Sequence, residues 1–437
     1  MSLKDEIKLV GPTDASPTQG IDAATPAVAP IRIDVGDESG DRFDRFKLIG
    51  WWDQNKLRAA KVLVIGAGAL GNEILKNLAL LGIGNVLVVD LDKVENSNLS
   101  RSVLYRASDN GSPKSVAAAR AARDIYPDQK THALVANAVY DLGLGVYRWA
   151  DVVIGGLDNR EARLSINRAC MKLNKPWIDG AIEVIQGTAR VFDPAGPCYE
   201  CTMSDTDWRL LQMRRSCNLL SRAEMVTGKT PTTPTISSII AGVQTQEAVK
   251  MLHGLPTIAG KGWVFDGFTT EAYTVEFQRK DDCLSHDTLD EVLELDARAG
   301  EITLADLLAE ARKALGPTAE LELPRDVLHK LACPVCGEQV EMFVSLGRVA
   351  ADAAWCPHCK QSGKDVRRDV VTFYKIRGNE SFLGKTPAEI GVPPYDILIG
   401  RRSGATASEN RSIGLELSWD AEDVLGPLWD GPALEWT

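Results

Sequence analysis

Histidine is scarce in this 437-residue chain, which has five of them. A mechanism built on histidine acid–base chemistry therefore has little to draw on. Positive charge is also in deficit: 60 Asp and Glu face 49 Lys and Arg, leaving a net −11. A nucleic acid or an anionic membrane calls for a basic face, so neither is expected as a partner, although local Lys and Arg clusters can still hold a small phosphate. Long apolar runs are missing too. The most apolar stretch, Val62 to Val89, is interrupted by Asn72, Glu73, Lys76 and Asn77, and no basic-then-apolar segment opens the sequence. A membrane span and a secretory signal are thus not expected, and a cytoplasmic location is. No internal repeat is visible.

What is present is an ordinary globular composition, 44% hydrophobic and 25% charged, in a chain long enough for two or three domains. Residues 1–40 contain the Pro-, Ala- and Thr-rich stretch Val10 to Ile31, which has no apolar period; a disordered leader is expected there. From Arg42 a short helical lead-in precedes a strand (KVLVIGAG), a helix (NEILKNLALLG) and a second strand (NVLVVDLD). A helix from Ser112 to Ile125, a strand around His132 to Asn137, the buried strand DVVIGGLD, the helix REARLSINRACMKLN and the strand PWIDGAI follow. This alternation predicts an α/β domain over residues 41–288, with a Rossmann-like, doubly wound and mostly parallel sheet. After Cys201 the pattern loosens until TISSIIAGVQTQEAVKMLHG, which has helical spacing and stops at Gly254; KGWVFDGFTTEAYTVEFQRK then alternates like a strand pair. Residues 289–437 read as a separate C-terminal α+β domain, with a strand in VLELD, a helix in LADLLAEARKALG, a strand in AELELP and a cysteine-bearing segment.

Gly66, Gly68 and Gly71 lie between a strand and a helix, where backbone N–H groups and a helix N-terminus can meet phosphates. Asp90, at the end of the second strand, is placed to bind ribose hydroxyls. These features fit a nicotinamide or flavin cofactor as well as ATP. Asn98, Arg101 and Lys114 follow just beyond, and Asp158 closes a later strand. A bridging pyrophosphate needs few cations, whereas a triphosphate being cleaved needs cations around it and a carboxylate for magnesium. Taken singly, each of these polar residues also suits a solvated loop.

Nine cysteines in a reducing compartment point to metal rather than disulfides. Cys333 and Cys336, then Cys356 and Cys359, form two C-x-x-C knuckles separated by residues 337–355, the spacing of a four-thiolate zinc ribbon. Cys198 and Cys201 make a third pair, and the best candidates for its remaining ligands are Cys283 and His286 in KDDCLSHD. Two structural zinc sites are therefore expected. Cys170 shares a helical face with Ile166 and Leu173 and reads as a buried small hydrophobe. Cys217 is left alone in an irregular segment after Arg214 and Arg215, whose charge favours the thiolate.

The motifs RFDRF, GAGALG, VDLDKVENSNLSR, GSPK, GLDNREAR and WIDGAIEVIQGTARVF…CYEC stand in one order from about Arg42 to His286. In that order and spacing they resemble the ubiquitin-like-protein activating enzymes, a family that includes the bacterial adenylating enzymes of molybdopterin and thiamine synthesis. Mapped by motif, Asp90 resembles the ribose ligand and Asn98, Arg101 and Lys114 the phosphate ligands. Asp158 resembles the magnesium-binding aspartate, and Arg45 the arginine that reaches ATP from the opposite subunit of a homodimer. The family has a cysteine where His286 stands; zinc accepts either ligand. In thioester-forming members the catalytic cysteine occupies the loop between the first zinc pair and the next helix, about residues 202–234 here, as Cys217 does. This chain carries extra residues, LLSRAEMVTGK, in that loop.

The resemblance implies that a ubiquitin-like protein's C-terminal tail is adenylated by ATP and magnesium, transferred to Cys217 and passed to a conjugating-type carrier enzyme. No histidine base is needed, since the attacking carboxylate is already ionised at neutral pH. Three alternatives remain: activation of a sulfur-carrier protein with no Cys217 thioester, a catalytically silent zinc scaffold, and a nicotinamide enzyme.

Overall fold

The computed structural model describes residues 40–213, 231–404 and 410–418. Among these described residues, those up to Trp52 belong to one compact unit and those from Asp53 onward to another. In the first, Asp44–Leu48 is a 3-10 turn, and the Phe46 ring lies 4.7 Å from that of Trp52.

The second unit holds two sheets. The larger is built from β1 (Lys61–Ile65), β2 (Asn85–Val89), β3 (Lys130–Leu134), β4 (Val152–Gly155) and β5 (Trp177–Glu183), ordered β3-β2-β1-β4-β5 and parallel throughout. Its antiparallel extension is β6 (Gln186–Phe192), β7 (Lys261–Asp266) and β8 (Glu271–Glu276). Helices α1 (Gln54–Ala59), α2 (Ala69–Leu81), α3 (Lys114–Ile125), α4 (Leu144–Trp149), α5 (Arg160–Lys172), α6 (Tyr199–Thr202), α7 (Asp205–Met213) and α8 (Pro234–His253) accompany it. Val62, Leu63, Val64 and Ile65 of β1 are at most 2% exposed, the continuous burial of a parallel strand covered on both faces. Strand order reverses between β1 and β4, so a crevice opens at their C-terminal ends.

Local chemistry accounts for the ends of α8. Thr233 caps the start, Pro234 sits where a missing N–H costs nothing, and Gly254 takes φ +71 beyond the last turn. The sequence pattern loosens after Cys201, yet α6 and α7 form there. Ser204 and Asp207 exchange hydrogen bonds at the start of α7, a capping arrangement that needs no apolar period, and nine residues are too few to display one clearly.

The smaller sheet contains β9 (Glu291–Arg298), β10 (Glu320–Ala332), β11 (Gln339–Ser345), β12 (Asp369–Ile376), β13 (Ile397–Arg402) and β14 (Arg411–Ser418), ordered β11-β10-β13-β14-β9 with β12 on the flank of β10. Helix α9 (Leu304–Leu315) buries Leu304, Leu307, Leu308, Ala311 and Leu315; α10 (Pro357–Gln361) is capped by Cys356 and contains Cys359, the last cysteine pair. The strand anticipated in AELELP continues through Pro324 to Ala332. Pairing of β10 with β12 jumps from Glu322 to Val327 across that proline, which has no N–H to give the ladder.

The two sheets are keyed to each other. Asp396 is fully buried and accepts from the Leu144 N–H, 2.7 Å away, at the start of α4. Arg325 donates to the Val139 carbonyl at 3.0 Å, while Lys172 and Arg401 share Asp287 at 2.6 and 2.7 Å. A Cβ on Gly143 would stand 2.3 Å from the Tyr395 carbonyl oxygen, closer than any side chain tolerates. Gly143→Ala should therefore destabilise the chain by about 1–3 kcal/mol in urea unfolding. Gly242→Ala, with nothing within 4 Å of its new Cβ, should be neutral or stabilising.

Candidate functional site

The glycine segment between β1 and α2 is held by close backbone approach. Gly66 has φ +95, and a Cβ there would lie 2.4 Å from the Gly156 carbonyl oxygen beyond β4. A Cβ on Gly71 would lie 1.9 Å from the Gly66 carbonyl oxygen. Gly68, by contrast, has open space in front of it and starts α2 with no side-chain cap. The first N–H groups of α2 are thus presented at the crevice, where the helix dipole favours an anion.

Asp90 follows β2 and accepts from the Ala67 N–H at 2.7 Å and the Asp92 N–H at 2.8 Å, tying the glycine loop to the second strand. Burial raises its pKa against the opposing pull of those N–H groups and Lys114. Lys114 reaches Asp92 at 2.9 Å. Asn98 is buried and accepts from the Glu95 N–H at 3.0 Å; Arg101 donates to the Ser97 carbonyl at 2.7 Å. Asp158 is exposed, two residues past the Gly156 contact and directly before the Asn159 cap of α5. Gly66, Gly68, Gly71, Asp90, Asn98, Arg101, Lys114 and Asp158 are therefore carried by the ends of β1, β2 and β4 and the segments following them. Arg45 lies exposed in the first compact unit, and Cys217 lies outside the described residues.

Several buried polar residues that build this region carry no local motif. Asn72 bonds the carbonyls of Ala67 and Gly68 at 2.7 and 3.1 Å and accepts from the Leu104 N–H at 2.9 Å. The Tyr105 hydroxyl donates to Ala67 at 2.6 Å and reaches the Lys114 carbonyl at 3.2 Å. Gln244 of α8 donates to the Gly155 carbonyl at 2.8 Å. Asp179, fully buried in β5, pairs with Arg163 of α5 at 2.9 Å and with Arg190 of β6 at 3.0 Å, and Arg163 also holds the Leu157 carbonyl at 2.6 Å, next to Asp158. Burial alone would lower the pKa of Arg163; Asp179 outweighs it and raises it. The available signal was a charged residue inside the otherwise apolar strand WIDGAI.

The paired cysteines converge on two centres. Cys198 Sγ lies 3.7 Å from Cys201 and 3.6 Å from Cys283, and Cys201 Sγ lies 3.3 Å from His286 Nε2. Cys333 to Cys359 and Cys336 to Cys356 each span 3.7 Å. In each group all four ligand atoms lie within 4.8 Å of one another. A tetrahedral zinc with bonds of about 2.3 Å to sulfur sets the sulfurs about 3.8 Å apart, so both donor sets fit that ion. Burial pushes the Cys283 thiol up to about 12 and the Cys359 thiol likewise to about 12, so a cation would be needed to deprotonate them. The backbone N–H groups of Cys336 and Val335 hold Cys333 down to about 6. Burial and nearby Arg279 lower His286, favouring the neutral ring that ligates. Cys170 is fully buried, as its helical spacing suggested, and burial raises its pKa.

The buried Arg163–Asp179–Arg190 group offers a direct check. Asp179→Asn leaves two arginines without their counter-charge and should cost about 3–5 kcal/mol in denaturant unfolding. A loss below about 1 kcal/mol would mean the triad does not hold β5 and α5 in place.

Comparison with known proteins gives this arrangement its relatives. The ThiF family model matches residues 41–285, more than half of the chain. A sulfur carrier protein adenylyltransferase from Thermus thermophilus is 36% identical over 173 residues, 38% of this chain and 64% of that protein. The SAMP-activating enzyme E1 of Haloferax volcanii is 36% identical over 164 residues, 37% of this chain and 61% of that one. The sulfur carrier protein ThiS adenylyltransferase of Escherichia coli is 30% identical over 232 residues, 53% of this chain and 87% of that one. The chain thus spans a little under two thirds of the first two relatives. With its glycine loop, its doubly wound sheet and this match, the chain belongs to the ThiF family.

Proposed function

We propose that this chain adenylates the C-terminal carboxylate of a ubiquitin-like or sulfur-carrier protein with ATP. The observation that carries the proposal is the set of polar groups at the ends of β1, β2 and β4: the open N-terminus of α2 at Gly68, Asp90, Asn98, Arg101, Lys114 and exposed Asp158. The relatives named as adenylyltransferases support it.

In this reading, Asp90 keeps its two backbone donors and uses its remaining lone pairs for the ribose hydroxyls. Lys114 exchanges Asp92 for a phosphate oxygen, and Asn98, Arg101 and the α2 N-terminus take the others. Asp158 would hold magnesium, which supplies positive charge to the phosphates. Arg45 of a second copy completes the cradle in a homodimer. The partner's carboxylate oxygen attacks the α-phosphorus, the bond to the bridging oxygen breaks, and pyrophosphate leaves with the electron pair. The product is an acyl adenylate.

The finer proposal is that the Cys217 thiolate then attacks the acyl carbon, AMP departs and a thioester forms, ready for a conjugating-type carrier. The name of the Haloferax volcanii relative, an E1, supports it. The second reading passes the adenylate to a sulfur donor without Cys217, and the names of the Thermus thermophilus and Escherichia coli relatives support that. Zinc in the two cysteine-rich centres acts structurally in either case.

Mixing the chain with a candidate partner and Mg-ATP should release pyrophosphate and give a thiol-sensitive adduct on a non-reducing gel. Cys217→Ala should lose the adduct and keep the first round of pyrophosphate release; release with no adduct in wild type would favour the sulfur-carrier reading. No release with any verified partner would leave a silent scaffold. Metal analysis should find about two zinc ions per chain and about one in Cys336→Ser.

A further inference from the structure

The first cysteine-rich centre draws its donors from two places. Cys198 and Cys201 stand at α6, whereas Cys283 and His286 lie on the connection that runs from β8 to β9, out of the larger sheet and into the smaller one. That connection is gripped from both sides. Ser285, between the two ligands, is buried; it accepts from the Asn167 amide at 3.0 Å and donates to Glu200, which Arg168 holds at 3.0 Å. The Asn167 oxygen in turn accepts from the Tyr199 N–H at 2.8 Å, next to Cys198, so one fully buried amide holds both halves of the donor set. Asp287, directly after His286, receives Lys172 of α5 at 2.6 Å and Arg401 of β13 at 2.7 Å. The Leu289 N–H donates to the Lys172 carbonyl at 3.0 Å, and Asp290 accepts from the Ser412 N–H of β14 at 3.1 Å. Pairing of β9 with β14 begins one residue later, at Glu291.

The backbone that presents His286 to a metal is thus the same backbone that Arg401 and Ser412 fasten to the smaller sheet. Whichever attachment forms first removes conformational freedom that the other would otherwise have to remove. We propose that Asp287 is a positioning residue for this centre: by binding Lys172 and Arg401 it sets His286 for zinc and links the centre to the smaller sheet. Zinc binding and docking of the smaller sheet then strengthen each other, and the strengthening is reciprocal. The other centre takes all four cysteines from the segment between β10 and β12, within the smaller sheet's own chain, and serves as the control. The inference rests on the fit of zinc to the four donors and not on the reaction proposed above.

The test follows zinc transfer from the full, zinc-loaded chain to a chelating dye. Release should show two phases, and Cys336→Ser identifies the phase that belongs to the control centre. Arg401→Met and Asp287→Asn should each speed the first centre's phase about fivefold, less than the roughly 10–100-fold of a strong outer-shell partner because Asp287 is half exposed. Neither should change the control phase by more than about twofold, and the two changes together should release zinc no faster than one alone. In the other direction, Cys283→Ser should speed hydrogen exchange at Ile413–Leu417 of β14 and leave β1 and β2 as protected as in wild type. An unchanged first phase overturns the proposal, as do additive effects of the two substitutions. So do equal acceleration of both phases, which marks general loosening, and unchanged exchange at β14 in Cys283→Ser.

Discussion

Gly66, Gly71 and Gly156 meet where β1 turns into α2 and β4 ends, with backbone atoms so close that no Cβ fits at any of the three positions without a shift. This contact brings the start of α2 down onto the reversal point of the sheet. Once it is there, the first N–H groups of the helix face the crevice, and the end of β4 delivers Asp158 to the same edge. Asn72 and Tyr105 then fasten the glycine loop to the long segment that carries Asn98, Arg101 and Lys114. A bulkier residue at these glycines would push the helix away from these bonds, so the glycines and the buried amide act together.

Charge is handled differently on the two sides of the sheet's reversal point. At the crevice, Lys114 and Asp158 keep partial or full access to solvent and can change partners. Behind it, Asp179 is locked between two arginines where water cannot reach, and removal of either partner would be costly. The fixed group ties β5, β6 and α5 together, while the groups at the crevice remain accessible. The second sheet is joined to the first by the same economy of polar contacts: buried Asp396 at α4, and Asp287 between Lys172 and Arg401.

Features encoded by short-range spacing were legible in the sequence. The glycine motif, the C-x-x-C pairs and the alternation of strands and helices all depend on residues a few positions apart, and the mostly parallel sheet follows from them. Cys283 and His286 could be tied to Cys198 and Cys201 only because the ligand count demanded two more donors. Long-range features were not legible. Nothing near Asp179 announces Arg190 across a hairpin, nothing near Gly143 announces Tyr395, and β14 forms by pairing with β13 and β9 rather than from a signal of its own. The length of β10 was hidden by Pro324, which reads as a strand end but falls in a gap of the ladder.

The central claim is that the crevice binds a nucleoside triphosphate through Lys114 and Asp158, and equilibrium binding measures it without any protein partner. Calorimetric titration with Mg-ATP should show binding that weakens about tenfold or more in Lys114→Ala and in Asp158→Asn, with no detectable binding of NAD. Tight NAD binding, or ATP affinity unchanged by both substitutions, would contradict the account.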